Sequence, residues 1–531
     1  MTTRNWLPLV AALALAMGSQ AQAAKVLTVC SEASPEGFDI SMYTAAVTAD
    51  ATSEAVHNRL VEFERGSTKV LPGLADRWDI SKDGLSYTFY LHKGVKFHTT
   101  DYFKPSREFN ADDVVWTFKR MLDKSHPWYK VSPRGYPYAD GMEFPTLIKS
   151  IDKIDPYTVR FTLSKPEAPF LADLAMGFAS IFSAEYGDQL LKAGKTNQLN
   201  QLPIGTGPFV FRRYEKDAQI RYDGFKDYFR GKPAIDKLIF AIAPDTAVRI
   251  QKLKAGECQI ALYPLPADVP NLRRDPKLQV GELNALMTGY LAFNTQHKPL
   301  DKKEVRQAIS LAFDKKSYVK ALFGEAASPA VNPFPSTMWG YNKDIKDYDY
   351  NPAKARELLK QAGLPNGFDT TIWTRPGGGT INPNPKLGAE MLQADLKKIG
   401  INATIKTIEW GELLKRAKAG EHDLVFNGWA GDNGDPDNFL TPLLSCAAAE
   451  TGENYARWCD KPFDALLDRA KLSSDINVRT KAYLEAQKIF KEQAPWLALA
   501  HPTMFVAMHK NVVGYKLSPL GTNNYYGVDI R

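Results

Sequence analysis

The chain has 531 residues, 44% of them hydrophobic and 24% charged, with a formal net charge of +7. At roughly 100–200 residues per domain, that length can form two or three substantial cores. The small positive balance is spread without a dense Lys/Arg run, which argues against a nucleic-acid partner.

In chain order, Arg4 is followed by a mostly apolar run over residues 6–17, then by small and polar residues ending in Ala21-Gln22-Ala23. This pattern reads as a cleaved signal peptide over residues 1–23. A membrane anchor would need roughly 20 apolar residues, and no later segment reaches that length either. Cys30 lies behind Leu27-Thr28-Val29 rather than the small residues of a lipid-attachment site, so the exported chain is expected to be free in solution.

The alternation Tyr87-Thr88-Phe89-Tyr90-Leu91 reads as a strand, with a turn at Lys93-Gly94. Asn110 is a good N-cap for a helix reaching about Met121, and Asp112 and Asp113 suit its first turn. Residues 151–163 read as two short strands broken at Asp155-Pro156. The second half is more regular. Helices are expected over 302–314, 352–362, 385–399 and 412–419, and strands over 368–373, 401–408 and 423–426. Pro352 and Gly363 punctuate the second of those helices. Strands alternating with helices argue for an α/β lobe with a largely parallel sheet.

Two loops follow strands of that lobe: Thr374-Arg375-Pro376-Gly377-Gly378-Gly379-Thr380, and residues 428–438, which contain Asp432, Asp435 and Asp437. Open α/β sheets bind ligands beyond the carboxyl ends of their strands, so these loops are site candidates as well as ordinary turns.

Catalytic and metal signatures are sparse. There is no G-x-S-x-G elbow and no H-E-x-x-H helix. Gly194-Lys195-Thr196 lacks a phosphate loop's earlier glycine, because Gln189 stands there. The eight histidines are scattered, so neither a metal site nor a cofactor is expected. Cys30, Cys258, Cys446 and Cys459 form no C-x-x-C pair. In an oxidising compartment they predict two disulfides with three possible connectivities.

A series of segments then carries a resemblance. These are Cys30-Ser31-Glu32-Ala33-Ser34-Pro35-Glu36-Gly37-Phe38, Leu71-Pro72-Gly73-Leu74-Ala75, Leu91-His92-Lys93-Gly94-Val95-Lys96-Phe97-His98, residues 165–170, Gly205-Thr206-Gly207-Pro208-Phe209, Val305-Arg306-Gln307-Ala308 and residues 431–439. In this order they resemble the bacterial extracellular solute-binding proteins of family 5, and among them the dipeptide-binding members.

The resemblance implies a type 2-like periplasmic binding-protein clamshell, an α/β fold of two lobes with mixed sheets flanked by helices, plus a third domain. Residues 24–56, 208–284 and 503–531 would form a discontinuous domain I, residues 57–207 the extra domain II, and residues 285–502 domain III. It further implies Cys30–Cys258 and Cys446–Cys459 pairing, no enzymatic activity, and a monomer that delivers short peptides to an inner-membrane ABC permease from the periplasm. Relatives that take haem, metal chelates or glutathione provide the alternative. The 10 Trp and 23 Tyr could stack on sugars, but an acidic anchor suits an ammonium better than a neutral sugar.

By the same resemblance, Asp432 would hold the peptide's amine. Trp429, Ala430 and Gly431, with Thr44, Ala45 and Ala46 opposite, would meet its backbone, and Tyr136 would line the pocket. The arginine that grips the carboxylate in the dipeptide-binding members corresponds to Gly379 here. Arg375, four residues earlier, is the candidate replacement, and the missing side chain could instead leave room for a longer peptide.

Overall fold

The computed structural model describes residues 24–132, 135–451 and 453–531, so the signal-peptide reading of residues 1–23 lies outside them. Among the described residues no helix is long and apolar enough to cross a membrane.

A four-stranded antiparallel sheet occupies the first half, in the order Ala75–Ile80, Ser86–Leu91, Thr158–Leu163, Ile148–Asp155. Its middle strands alternate: Tyr87, Phe89 and Leu91, like Val159, Phe161 and Leu163, point into one core. Helix Ala111–Leu122 covers that core, with Phe118 edge-on to Phe161 at 5.1 Å. The helix begins where expected because Asn110 accepts from the Asp112 amide and Asp113 accepts from the Asn110 amide. On its buried side Arg120 meets Asp39 in a bidentate pair, 2.6 and 2.8 Å, fully shielded from solvent.

The larger sheet has 12 strands in two halves, both of which pair with strand Trp496–His509. Residues 496–500 pair with Met287–Phe293, which leads on to Leu424–Ala430, Asp369–Thr374 and Asn402–Thr407, and residues 500–502 pair with the short strand Ala327–Pro329. Residues 503–509 pair with Leu278–Asn284, and residues 506–508 with Ile260–Leu262, which leads on to Val26–Ser31, Lys237–Ile242, Gln219–Gly224 and Phe209–Glu215. The chain therefore crosses between the halves at residues 284–287 and 500–503.

The largely parallel sheet expected of the second half is corrected to a mixed one. Asp369–Thr374 is parallel to both Asn402–Thr407 and Leu424–Ala430, where helices carry the chain back. Met287–Phe293 and Trp496–His509 enter antiparallel from distant parts of the chain. Met287–Phe293 is buried at every residue, so it lacks the alternation that marks a half-buried strand.

Buried apolar residues group accordingly. One core is built from residues 40–204, another from 27–56 with 209–262 and 506–528, and two more from residues 286–520. Disulfides join Cys30 to Cys258 and Cys446 to Cys459, one of the three connectivities open to the sequence. The first ties strand Val26–Ser31 to the segment just before its parallel neighbour Ile260–Leu262.

Candidate functional site

Strand Leu424–Ala430 starts in the core and runs outward, its last four residues half-buried. Residues 428–430 were expected in a loop, but the strand continues to Ala430, paired with Met287. The partner strand is remote in sequence, so no local signal could reveal the extension. On the strand's other edge, pairing with Asp369–Thr374 stops after Leu424 and Val425. The edge from Phe426 to Ala430, which includes Trp429, therefore has no strand partner there among the described residues. Gly428 lets Ile381 approach, because a Cβ would lie 2.2 Å from its Cγ2.

Beyond Ala430 the chain turns. The Gly431 amide donates to the Leu286 carbonyl at 2.6 Å. Asn438, near the start of helix Asp437–Leu444, accepts from both the Asp432 amide (2.9 Å) and the Trp429 indole (3.0 Å). Strand end, turn and helix are thereby fixed as one unit.

The loop's three aspartates differ in their partners. Asp435 is paired with Arg479 at 2.8 Å, and Asp437 accepts from Thr441 at 2.6 Å. Asp432 Oδ1 accepts from the Tyr138 hydroxyl at 2.8 Å, while its Oδ2 is shielded from solvent and has no hydrogen-bond partner among the described residues. Burial pushes the Asp432 carboxyl up to about 6, against the bonds from Tyr138 and Asn438. An enclosed acceptor with one open oxygen is suited to a cation that carries N–H donors.

Arg375 follows strand Asp369–Thr374 and is half-buried, its guanidinium 4.9 Å from the Trp410 ring centre. It lies across Gly379: a Cβ there would sit 2.6 Å from Arg375 Nη2. Burial lowers its pKa, and it makes no ion pair among the described residues. Thr44 and Ala46 are exposed and Ala45 half-buried, in the turn that opens the short helix Ala46–Ala51.

Tyr136 is buried in the first core, with its hydroxyl donated to the Trp128 carbonyl at 3.2 Å. The tyrosine that reaches Asp432 is Tyr138, two residues on, stacked on Phe178 at 5.5 Å. Sequence reasoning did not select Tyr138. In Tyr136-Pro137-Tyr138 both residues are tyrosine, and only the turn of Pro137–Gly141 decides which faces the loop.

Residues 69–451 match the family described as bacterial extracellular solute-binding proteins, family 5 Middle. The chain belongs to this family. Among its family-5 relatives, Di/tripeptide-binding protein 4 of Pseudomonas aeruginosa (strain UCBPP-PA14) is 61% identical over 526 residues, covering 99% of this chain and 98% of its own. The crystal structure of the dipeptide binding protein from Pseudoalteromonas sp. SM9913 in complex with Met-Leu aligns with TM-score 0.89 at 37% identity, over 96% of this chain and 100% of that one. An ABC transporter-associated periplasmic binding protein from Helicobacter pylori, in complex with peptide STSA, aligns with TM-score 0.88 at 40% identity, over 95% of this chain and 98% of that one.

Proposed function

We propose that this chain is the periplasmic substrate-binding protein of an ABC importer, which captures di- and tripeptides as a monomer and delivers them to an inner-membrane permease. The observation that carries the reading is Asp432, whose enclosed carboxylate has one oxygen without a hydrogen-bond partner among the described residues. A free peptide brings an ammonium, and a buried carboxylate without a partner costs several kcal/mol that such a ligand offsets.

Other features support the same ligand. The edge from Phe426 to Ala430, which has no strand partner on that side among the described residues and whose Gly428 amide donates to Asn427 Oδ1, offers its remaining backbone groups to an extended peptide in the manner of an added strand. Arg375 supplies a cation without an ion partner among the described residues for the carboxylate end, and it fills the space beside Gly379. Thr44, Ala45 and Ala46 are read as the backbone contact from the opposite lobe, and Tyr136 as support behind the pocket. Peptides appear in the names of the relatives and in the complexes described above.

The domain division follows from the same reading. Residues 24–56, 208–284 and 503–531 form domain I, residues 57–207 domain II and residues 285–502 domain III. The two crossings at 284–287 and 500–503 support a hinge between the lobes.

A thermal-shift screen of di-, tri- and tetrapeptides alongside haem, metal chelates and glutathione tests the function. At about 100 times its Kd, a ligand that binds only the folded state stabilises it by roughly 2.7 kcal/mol. Di- and tripeptides should raise the melting temperature. A flat response to all peptides, with a shift from one of the other solutes, would overturn the reading.

A further inference from the structure

The Tyr138–Asp432 hydrogen bond joins side chains 294 residues apart in the chain. Tyr138 comes from the segment that carries the four-stranded sheet, and Asp432 from the loop after strand Leu424–Ala430. The contact has a neighbour: Asn433 donates to Asp173 at 2.7 Å, so two consecutive loop residues are gripped by the same N-terminal segment.

The carboxylate is thereby left asymmetric. Tyr138 occupies Oδ1, whereas Oδ2 is enclosed and unpaired. Resting on the amine-anchor reading of Asp432, we infer that Tyr138 is a positioning residue for peptide capture: by holding Oδ1 it presents Oδ2 alone to the incoming ammonium. Carboxylates hold up to about four acceptor sites, so a carboxylate free to rotate would spread an ammonium over several geometries. A donor fixed on one oxygen removes that freedom. Because the donor belongs to the N-terminal segment and the acceptor to residues 285–502, the same bond makes tight amine binding depend on the two parts being together.

The surrounding charges leave this role to Tyr138. Asp435 is neutralised by Arg479, and Asn438, whose Oδ1 accepts from the Asp432 amide and the Trp429 indole, supports the Asp432 carboxyl only from within the same loop. Besides Asp432, the titratable group acting on Tyr138 is Glu453, which is bonded to the Tyr455 hydroxyl and to Lys418, the latter at 2.6 Å. Around Asn433, Asp173 stands near Glu167 and Asp437, with Lys471 facing the latter two. Of the hydrogen bonds that favour the ionised form of Asp432, the one from Tyr138 reaches in from the opposite part of the molecule.

The test is a calorimetric cycle on the full mature chain: unsubstituted protein, Tyr138→Phe, Asp432→Asn and the double variant, each titrated with Ala-Ala-Ala and N-acetyl-Ala-Ala-Ala between about pH 5 and pH 8. Tyr138→Phe keeps the ring on Phe178 and removes only the hydroxyl, and its ligand-free melting temperature reports whether packing is intact. Losing a hydrogen bond to a charged group predicts roughly 10- to 100-fold weaker binding of Ala-Ala-Ala at neutral pH. The pH below which binding weakens should also move upward, because Asp432 loses a donor that favours its ionised form. In the Asp432→Asn background the same change should cost less than about threefold.

The outcomes separate two failures. If the unsubstituted protein binds both peptides alike, the amine-anchor reading itself is wrong, and this inference falls with it. If that protein discriminates but Tyr138→Phe keeps the same affinity and acid limb, only the role of Tyr138 is wrong. An equal loss in both backgrounds would likewise refute it, showing that Tyr138 acts through packing.

Discussion

Replacing Asp432 by Asn keeps the size of the side chain and removes its charge, and the structure sets the scale of the effect. Removing one partner of a buried ion pair costs about 3–5 kcal/mol, or roughly 10²–10³-fold or more in affinity. Asp432 is half-buried as a residue, and one oxygen is already engaged by Tyr138, so the lower end, about 10²-fold, applies. The pH dependence has a definite sign. With its pKa raised to about 6, the carboxyl is ionised and competent above that pH and becomes protonated below it. One unit below the pKa only about a tenth remains ionised, so affinity should fall roughly tenfold by about pH 5 in the unsubstituted protein, and stay flat in the variant. Stability should move the other way. Ligand-free Asp432 is easier to protonate folded than unfolded, so its ionisation opposes folding as pH rises through about 6. The variant should therefore be more stable than the parent at about pH 7.5, by about 1–3 kcal/mol, with the gap closing below about pH 4. Calorimetry with a tripeptide and thermal melting across that pH range read both effects. Unchanged affinity, or a variant less stable than its parent at neutral pH, would show that Asp432 only stabilises its turn.

Three further outcomes are expected. Arg375→Gln should weaken a dipeptide with a free carboxylate about 10- to 100-fold and leave its C-terminal amide nearly unaffected; equal losses for both by calorimetry would remove Arg375 from the carboxylate site. Gly428→Ala should lower stability by roughly 1–3 kcal/mol in denaturant melts, because the added Cβ meets Ile381 Cγ2 at 2.2 Å and the Thr288 carbonyl at 2.9 Å. Burial works against ionisation of Asp39, but Arg120 and Ser41 outweigh it and hold its carboxyl below the usual range. Asp39→Asn should therefore cost about 3–5 kcal/mol at neutral pH, a loss that shrinks in acid as the parent protonates too, and an apolar replacement of both Asp39 and Arg120 should be better tolerated.

What the sequence made legible follows the range of the interactions involved. The helix after Asn110, with its capping box, and the helix Pro352–Gln361 before Gly363 are encoded within a few residues and occur where expected. The strands flanking Asp155-Pro156 do so as well. Met287–Phe293 and Trp496–His509 sit at the centre of the large sheet, yet they carry no period and pair with segments far away in sequence. Those two, with the short strand Ala327–Pro329, are the antiparallel strands that correct the parallel expectation. At the site, glycines and aspartates marked residues 428–438 as a loop, which the strand to Ala430 and the helix from Asp437 shorten to residues 431–436, and resemblance pointed to Asp432. That an enclosed oxygen of Asp432 is left without a hydrogen-bond partner among the described residues depends on where Tyr138 comes to lie, 294 residues away. No local pattern around Tyr136-Pro137-Tyr138 selects the second tyrosine.

The most direct test of the central claim is mass spectrometry of the small molecules released when protein freshly purified from the periplasm is unfolded. The account predicts di- and tripeptides with free amino ends, in amounts approaching that of the protein. Finding haem, a metal chelate or glutathione in that amount, with no short peptide, would contradict it.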